Sequence, residues 1–178
     1  MAETFLLLSA QDRRDALGVA ADRSGRPAHL LEKDVWVVWA LSTLYAAPLG
    51  EHLVFKGGTS LSKVHGVIDR FSEDIDLPMS PAFVGADEAA FEAIDNRTRR
   101  DAALARMQVQ CADRTRSFLM PQLERAIVEH LGKREAGASW LRYEDDPIAR
   151  SPVIHFEYPT AEAAGLEPLE LLGDGVFD

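Results

Sequence analysis

Cysteine is nearly missing from this chain: among 178 residues Cys111 is the one thiol. An intrachain disulfide framework is therefore excluded, and the composition suits a reducing compartment. Cys111 falls in a helical pattern with Leu104, Met107, Phe118 and Leu119 and has no activating neighbour in sequence, so it reads as core rather than nucleophile. Basic residues are also scarce. Nineteen Lys and Arg stand against 29 Asp and Glu, and a formal net charge of −10 argues against a broad nucleic-acid surface, whose affinity comes from cations displacing counterions. The uncharged run over residues 35–49 stops short of the ~20 residues that span a bilayer, and reads as a buried helix. The Phe5-Leu6-Leu7-Leu8 stretch lacks a preceding basic residue, so it does not read as a secretory signal. A cytoplasmic protein without a membrane partner is expected. The histidines are scattered without metal-ligand spacing, and no Ser/His/Asp or Cys/His arrangement stands out.

What is present is enough apolar content, 47% of residues, for one good core. The richest stretch is 55–77. Phe55-Lys56-Gly57-Gly58-Thr59-Ser60-Leu61-Ser62-Lys63 reads as the end of a strand over 52–56 entering a double glycine and then a hydroxyl-bearing helix start over 60–64. Glycines let backbone approach a triphosphate without an intervening Cβ, and a helix start points free N–H groups at phosphate oxygens. Arg70-Phe71-Ser72-Glu73-Asp74-Ile75-Asp76-Leu77 follows, with a second strand over 72–77. Strand alternation sends Asp74 and Asp76 to one side and Ile75 and Leu77 to the core, and two carboxylates at that spacing can share a divalent metal. Alone, a double glycine is an ordinary turn and an Asp-x-Asp an ordinary strand edge. Their order and spacing point to nucleotidyl transfer.

The combination resembles the DNA polymerase β-like nucleotidyltransferase superfamily. The wording Lys56-Gly57-Gly58-Thr59-Ser60-Leu61 with Arg70-Phe71-Ser72-Glu73-Asp74-Ile75-Asp76-Leu77 is similar to its AbiEii/AbiGii toxin branch, as is Glu32-Lys33-Asp34 before an apolar helical run. The resemblance covers about 30–159. It implies an α/β (α+β) fold, a mixed sheet flanked by helices. It also implies a toxin of an abortive-infection or type IV toxin–antitoxin system, passing a nucleotidyl group from a nucleoside triphosphate to a tRNA-like RNA or a protein hydroxyl. Asp74 and Asp76 are the expected ligands of Mg2+ or Mn2+, and Lys56, Gly57, Gly58, Thr59, Ser60, Lys63, Arg70 and Ser72 the triphosphate site. Family members carry a third carboxylate on an adjacent strand; Glu157 is the first candidate and Glu170 the second. A cognate antitoxin is an expected partner.

Along the rest of the chain, helices are expected over 9–18, 28–46, 86–94 and 97–131, and a hairpin over 139–143 and 153–158 joined by Asp145-Asp146-Pro147. In 28–46 the buried face is assigned to Leu31, Val35, Val38 and Tyr45. In 97–131 it is assigned to Leu104, Met107, Cys111, Phe118, Leu123, Ile127 and Leu131. Arg97, Arg99, Arg100, Arg106, Arg114 and Arg116 are read as a solvated helix face interleaved with acids. The catalytic domain is placed at 1–160. Residues 161–178 hold five acids and no base and read as a loop-like acidic tail. For so short a chain three readings are open: an amino-terminal fragment, a truncated gene, and a compact variant completed by self-association or a partner. The alternative function is a catalytically inactive homologue that binds nucleotide or antitoxin; a small-molecule nucleotidyltransferase is a weaker third.

Overall fold

The computed structural model describes residues 2–54, 56, 74–134, 137–146, 151–161 and 166–172. Three helices come first: α1 (Ala2–Leu6), α2 (Ala10–Ser24) and α3 (Ala28–Ala46), then a 3₁₀ turn (Pro48–His52). Strand β1 (Asp74–Asp76), α4 (Glu88–Glu92) and α5 (Arg97–Arg114) follow. A π turn (Thr115–Leu119) joins α5 to α6 (Met120–Leu131), and three strands complete the described fold: β2 (Leu141–Asp145), β3 (Pro152–Pro159) and β4 (Leu166–Leu172).

Local chemistry sets the helix ends. The Ser9 hydroxyl accepts the Asp12 N–H at 3.1 Å and starts α2, which runs on past Gly18 to Gly25, whose φ of 71° ends it. Asp87 caps α4 through Ala90 N–H, and Asn96 caps α5 through Arg99 N–H, each at 3.1 Å. Gly132, at φ 81°, closes α6 with its N–H on Val128 O. The long helical stretch expected over 97–131 is helical throughout, with the π turn inside it.

The four strands form one mixed sheet in the order β1-β4-β3-β2. β1 and β4 are parallel; β4–β3 and β3–β2 are antiparallel. One sheet face carries Ile75, Leu171, Ile154, Leu169 and Phe156, all buried, and the helices cover it. Trp36 of α3 meets Phe156 edge-on at 5.7 Å and stacks on Tyr158 at 5.4 Å, while Trp39 packs against Phe156 at 5.9 Å.

Three expectations need correction. The buried face of α3 is Glu32, Trp36, Val37, Trp39, Ala40 and Leu44, whereas Val38 and Tyr45 are exposed and Leu31 and Val35 half-buried. Every position of this helix but a few is apolar, so its own sequence leaves the phase open, and the aromatic side chains of β3 decide it. On the long helix the buried line is Ala103, Met107, Cys111, Thr115, Leu119, Leu123 and Ile127, with Leu104 and Phe118 exposed. A spacing of four drifts around an α-helix, and the wider π turn at Thr115–Leu119 takes up part of that drift. Finally, the stretch assigned to an acidic tail contains β4, set between β1 and β3. Leu169 and Leu171 are buried on the helix-covered face and supply the apolar half of the alternation.

Candidate active site on the open sheet face

Register brings the polar residues of four strands into rows. Asp74 of β1 stands opposite Glu170 of β4, Glu170 opposite His155 of β3, and His155 opposite Arg142 of β2. The next row runs Asp76, Leu172, Val153 and Glu144. Asp76 is half-buried on the side of the sheet away from the fully buried Ile75. The face that the described helices leave open thus carries Asp76 and Glu170 on and beside β1.

The segment before the double glycine lies along the other edge of β1. Leu53 bridges Met79 and Lys56 bridges Asp76, both antiparallel. Val54 N–H donates to Pro78 O at 3.0 Å, and Ser80 N–H to His52 O at 2.8 Å. The expected strand over 52–56 is thus an antiparallel lead-in with isolated bridges, entered from the 3₁₀ turn. Its consequence for the site is positional: Lys56 stands beside Asp76 and is exposed there. Gly57, Gly58, Thr59, Ser60, Lys63, Arg70 and Ser72 lie outside the described residues, as does the expected helix over 60–64.

Glu157 stands apart from the aspartates. It belongs to β3 and pairs with Pro168, so β4 separates it from β1, and it is two register positions further along than His155. Its carboxylate accepts from Arg134 at 2.5 Å, and that guanidinium also lies over the Trp140 ring at 5.5 Å. Glu170, by contrast, is the register neighbour of Asp74, and its side chain is 44% exposed.

Sequence reading missed His155, Glu144 and Arg142. The His155 ring is 8% exposed and has one nitrogen on each of two acids: Nδ1 is 3.5 Å from Glu170 Oε1 and Nε2 is 3.2 Å from Glu144 Oε2. Arg142 donates to Glu144 at 2.6 Å. That hydrogen bond and the charge of Arg142 hold the Glu144 carboxyl below its usual range, with His155 adding in the same direction. The available signal was the period-two alternation of Arg142 with Glu144 and of His155 with Glu157, which assigns all four to one face once the hairpin register is known.

The arginine-rich helix does not form one open basic patch. Arg100 lies over Phe91, Arg114 over Phe83 and Arg116 over Tyr143, while Arg116 also pairs with Asp145 at 2.7 Å and Arg97 with Asp101 at 4.0 Å. Burial first, and then the hydrogen bond to Asp145, raise the Tyr143 hydroxyl well above its normal titration.

Among the described residues, no three His, Cys, Asp or Glu side chains gather as a metal-binding group; the Asp74 carboxylate is outside that set. Asp76 and Glu170 are oxygen donors with solvent access, which is the ligand chemistry of Mg2+ or Mn2+ bound through a few carboxylates, waters and substrate phosphates. The donor type fits. No described helix is long and apolar enough to cross a membrane.

A family model described as "Nucleotidyl transferase AbiEii toxin, Type IV TA system" matches residues 39–163. No curated protein and no solved structure matches the chain.

Proposed function

The chain belongs to the AbiEii family, nucleotidyl transferase toxins of type IV toxin–antitoxin systems, and from that premise we propose that its open sheet face transfers a nucleotidyl group from a nucleoside triphosphate to a hydroxyl acceptor. The acceptor is an RNA end such as that of a tRNA, or a protein hydroxyl, and a cognate antitoxin is the partner that membership brings. The observation that carries the reading is the placement of Lys56 and Glu170 on either side of the aspartate strand: Lys56 bridges Asp76, and Glu170 stands opposite Asp74.

Each residue then has a task. Backbone at Gly57 and Gly58 approaches the triphosphate, Thr59 and Ser60 offer hydroxyl and N–H donors to its oxygens, and Lys56, Lys63 and Arg70, with the Ser72 hydroxyl, offset its charge. Asp74, Asp76 and Glu170 would hold Mg2+ or Mn2+, which when bound supplies charge neutralisation at the attacking and leaving oxygens. Glu170 takes the place first given to Glu157, since it is on the strand next to β1. The acceptor oxygen bonds to the α-phosphorus as the bond to the β-phosphate oxygen breaks. Pyrophosphate leaves, and the acceptor proton passes to a carboxylate of the trio and on to water. No covalent enzyme intermediate is needed; positioning and electrostatics carry the rate.

The test is calorimetric titration of each of the four nucleoside triphosphates with Mg2+ into the chain, repeated with Asp76→Asn. Saturable binding that the substitution removes is the expected result. Binding by none of the four, or equal binding by the variant, overturns the reading.

A further inference from the structure

We infer that His155 is a positioning residue that restrains the Glu170 carboxylate on the strand next to β1. The inference rests on the nucleotidyl-transfer reading of this face. A glutamate carries three rotatable side-chain bonds, and one that is 44% exposed has room to sample several rotamers. His155 removes that freedom. Its planar ring is 8% exposed and sits on the strand next to β4, with Nδ1 3.5 Å from Glu170. Behind it, Nε2 faces Glu144 at 3.2 Å, and Arg142 fixes Glu144 at 2.6 Å. The four side chains form a line of alternating basic and acidic groups from the sheet edge inward: Arg142, Glu144, His155, Glu170. The next register position is Asp74.

The arrangement has the form of a histidine that holds a ligating carboxylate from outside. Such outer partners fix ligand orientation, and losing one typically weakens metal affinity about 10–100-fold. The phosphate-binding residues belong to a different segment, 56–72, so His155 should leave triphosphate binding alone. Glu144 also matters in this line, because its contact with Nε2 anchors the ring from the far side.

The experiment uses the full chain and four variants: His155→Leu, His155→Gln, Glu144→Gln and Asp76→Asn. Free Mn2+ is followed by its paramagnetic resonance signal as the ion is titrated in, alone and with each triphosphate; kcat and KM are measured separately, and thermal melts report folding. His155→Leu is expected to weaken Mn2+ binding by about tenfold or more and to lower kcat, with KM for the triphosphate, measured at saturating Mn2+, within about twofold of wild type. His155→Gln, which keeps an N–H donor, should recover most of the loss, and Glu144→Gln should fall between. A role confined to folding predicts instead a lowered melt with unchanged Mn2+ affinity in the folded fraction. Unchanged Mn2+ affinity in His155→Leu, or no recovery in His155→Gln, overturns the inference while Asp76→Asn still abolishes binding. Wild-type behaviour of Asp76→Asn, or no Mn2+ binding by the unaltered chain, removes the site reading and the inference with it.

Discussion

Glu32 and Ala161 meet across 129 residues of sequence: the carboxylate Oε1 near the start of α3 accepts the Ala161 N–H at 2.8 Å. The other oxygen accepts the Thr160 hydroxyl at 3.0 Å, and Arg13 of α2 lies 3.8 Å away. Glu32 is 1% exposed, and Arg14 adds a second tie by donating to Ala161 O at 2.8 Å. One buried acid thus joins two helices to the exit of β3, just ahead of the strand that carries Glu170.

Glu32→Ala is therefore expected to destabilise the fold by about 3 kcal/mol, since it strands a buried N–H and removes the acceptor of two hydrogen bonds. Glu32→Gln keeps an acceptor for Ala161 and should cost roughly half as much. Urea unfolding of the two variants checks this; equal, near-zero losses would mean that the contact is idle.

The rival third carboxylates separate by function. Glu170→Gln should lower metal-dependent transfer by at least about a hundredfold with the melt nearly unchanged, as expected for a group that acts on developing charge. Glu157→Gln should keep most of the activity and lose a little stability with its partly exposed Arg134 pair, of order 0.2–1 kcal/mol. The reverse ranking in a transfer assay would restore Glu157 to the site.

Gly50 is fixed by space. A Cβ there would lie 2.7 Å from Tyr45 Cα and 2.8 Å from Tyr45 O, both backbone atoms. Gly50→Ala must push the 3₁₀ turn off α3, at a cost of about 1–3 kcal/mol, and the turn feeds directly into the lead-in beside β1. A lower melting temperature together with weaker triphosphate binding is expected. An unaltered melt would show that the turn yields freely.

Alkaline pH should expose the buried thiol. Burial pushes Cys111 from 9.0 up to about 11, against a smaller opposing effect of the Thr115 hydroxyl. The raised value means that the native state keeps its proton where the unfolded chain has lost it. The contribution is complete below pH 9.0 and is lost as pH rises toward about 11. Tyr45 and Tyr143, also raised by burial, add to the loss from about pH 10 upward. Stability measured by denaturant from pH 8 to 11 should fall less steeply in Cys111→Ala than in wild type, and parallel curves would refute the assignment.

The acid strand, the long helix and the hairpin strands were legible because each depends on neighbours in sequence: Asp74-Ile75-Asp76 alternates, Met107, Cys111, Leu123 and Ile127 recur at helical spacing, and 139–143 and 153–158 are rich in aromatic and β-branched residues, while Pro147 of the expected turn lies outside the described residues. Glu32 was legible only as part of a resemblance, and its work became visible through Thr160 and Ala161. β4 was hidden by Pro168, which argues against an interior strand. Leu172 O accepts from Leu77 N–H on the β1 side, and Pro168, four residues earlier, faces the same way. Its missing N–H therefore points past the start of β1, where β4–β3 pairing loses nothing. His155 was hidden because its partners come from three strands whose order no local pattern gives.

That order has a consequence in time. β4 fills the gap between β1 and β3, so a chain made from its amino end carries both aspartates well before the strand that joins them to the hairpin exists. Until residues 166–172 leave the ribosome, the paired acids have neither Glu170 beside them nor the sheet that holds it. The sheet is therefore closed late in synthesis, by a strand made after both of its neighbours.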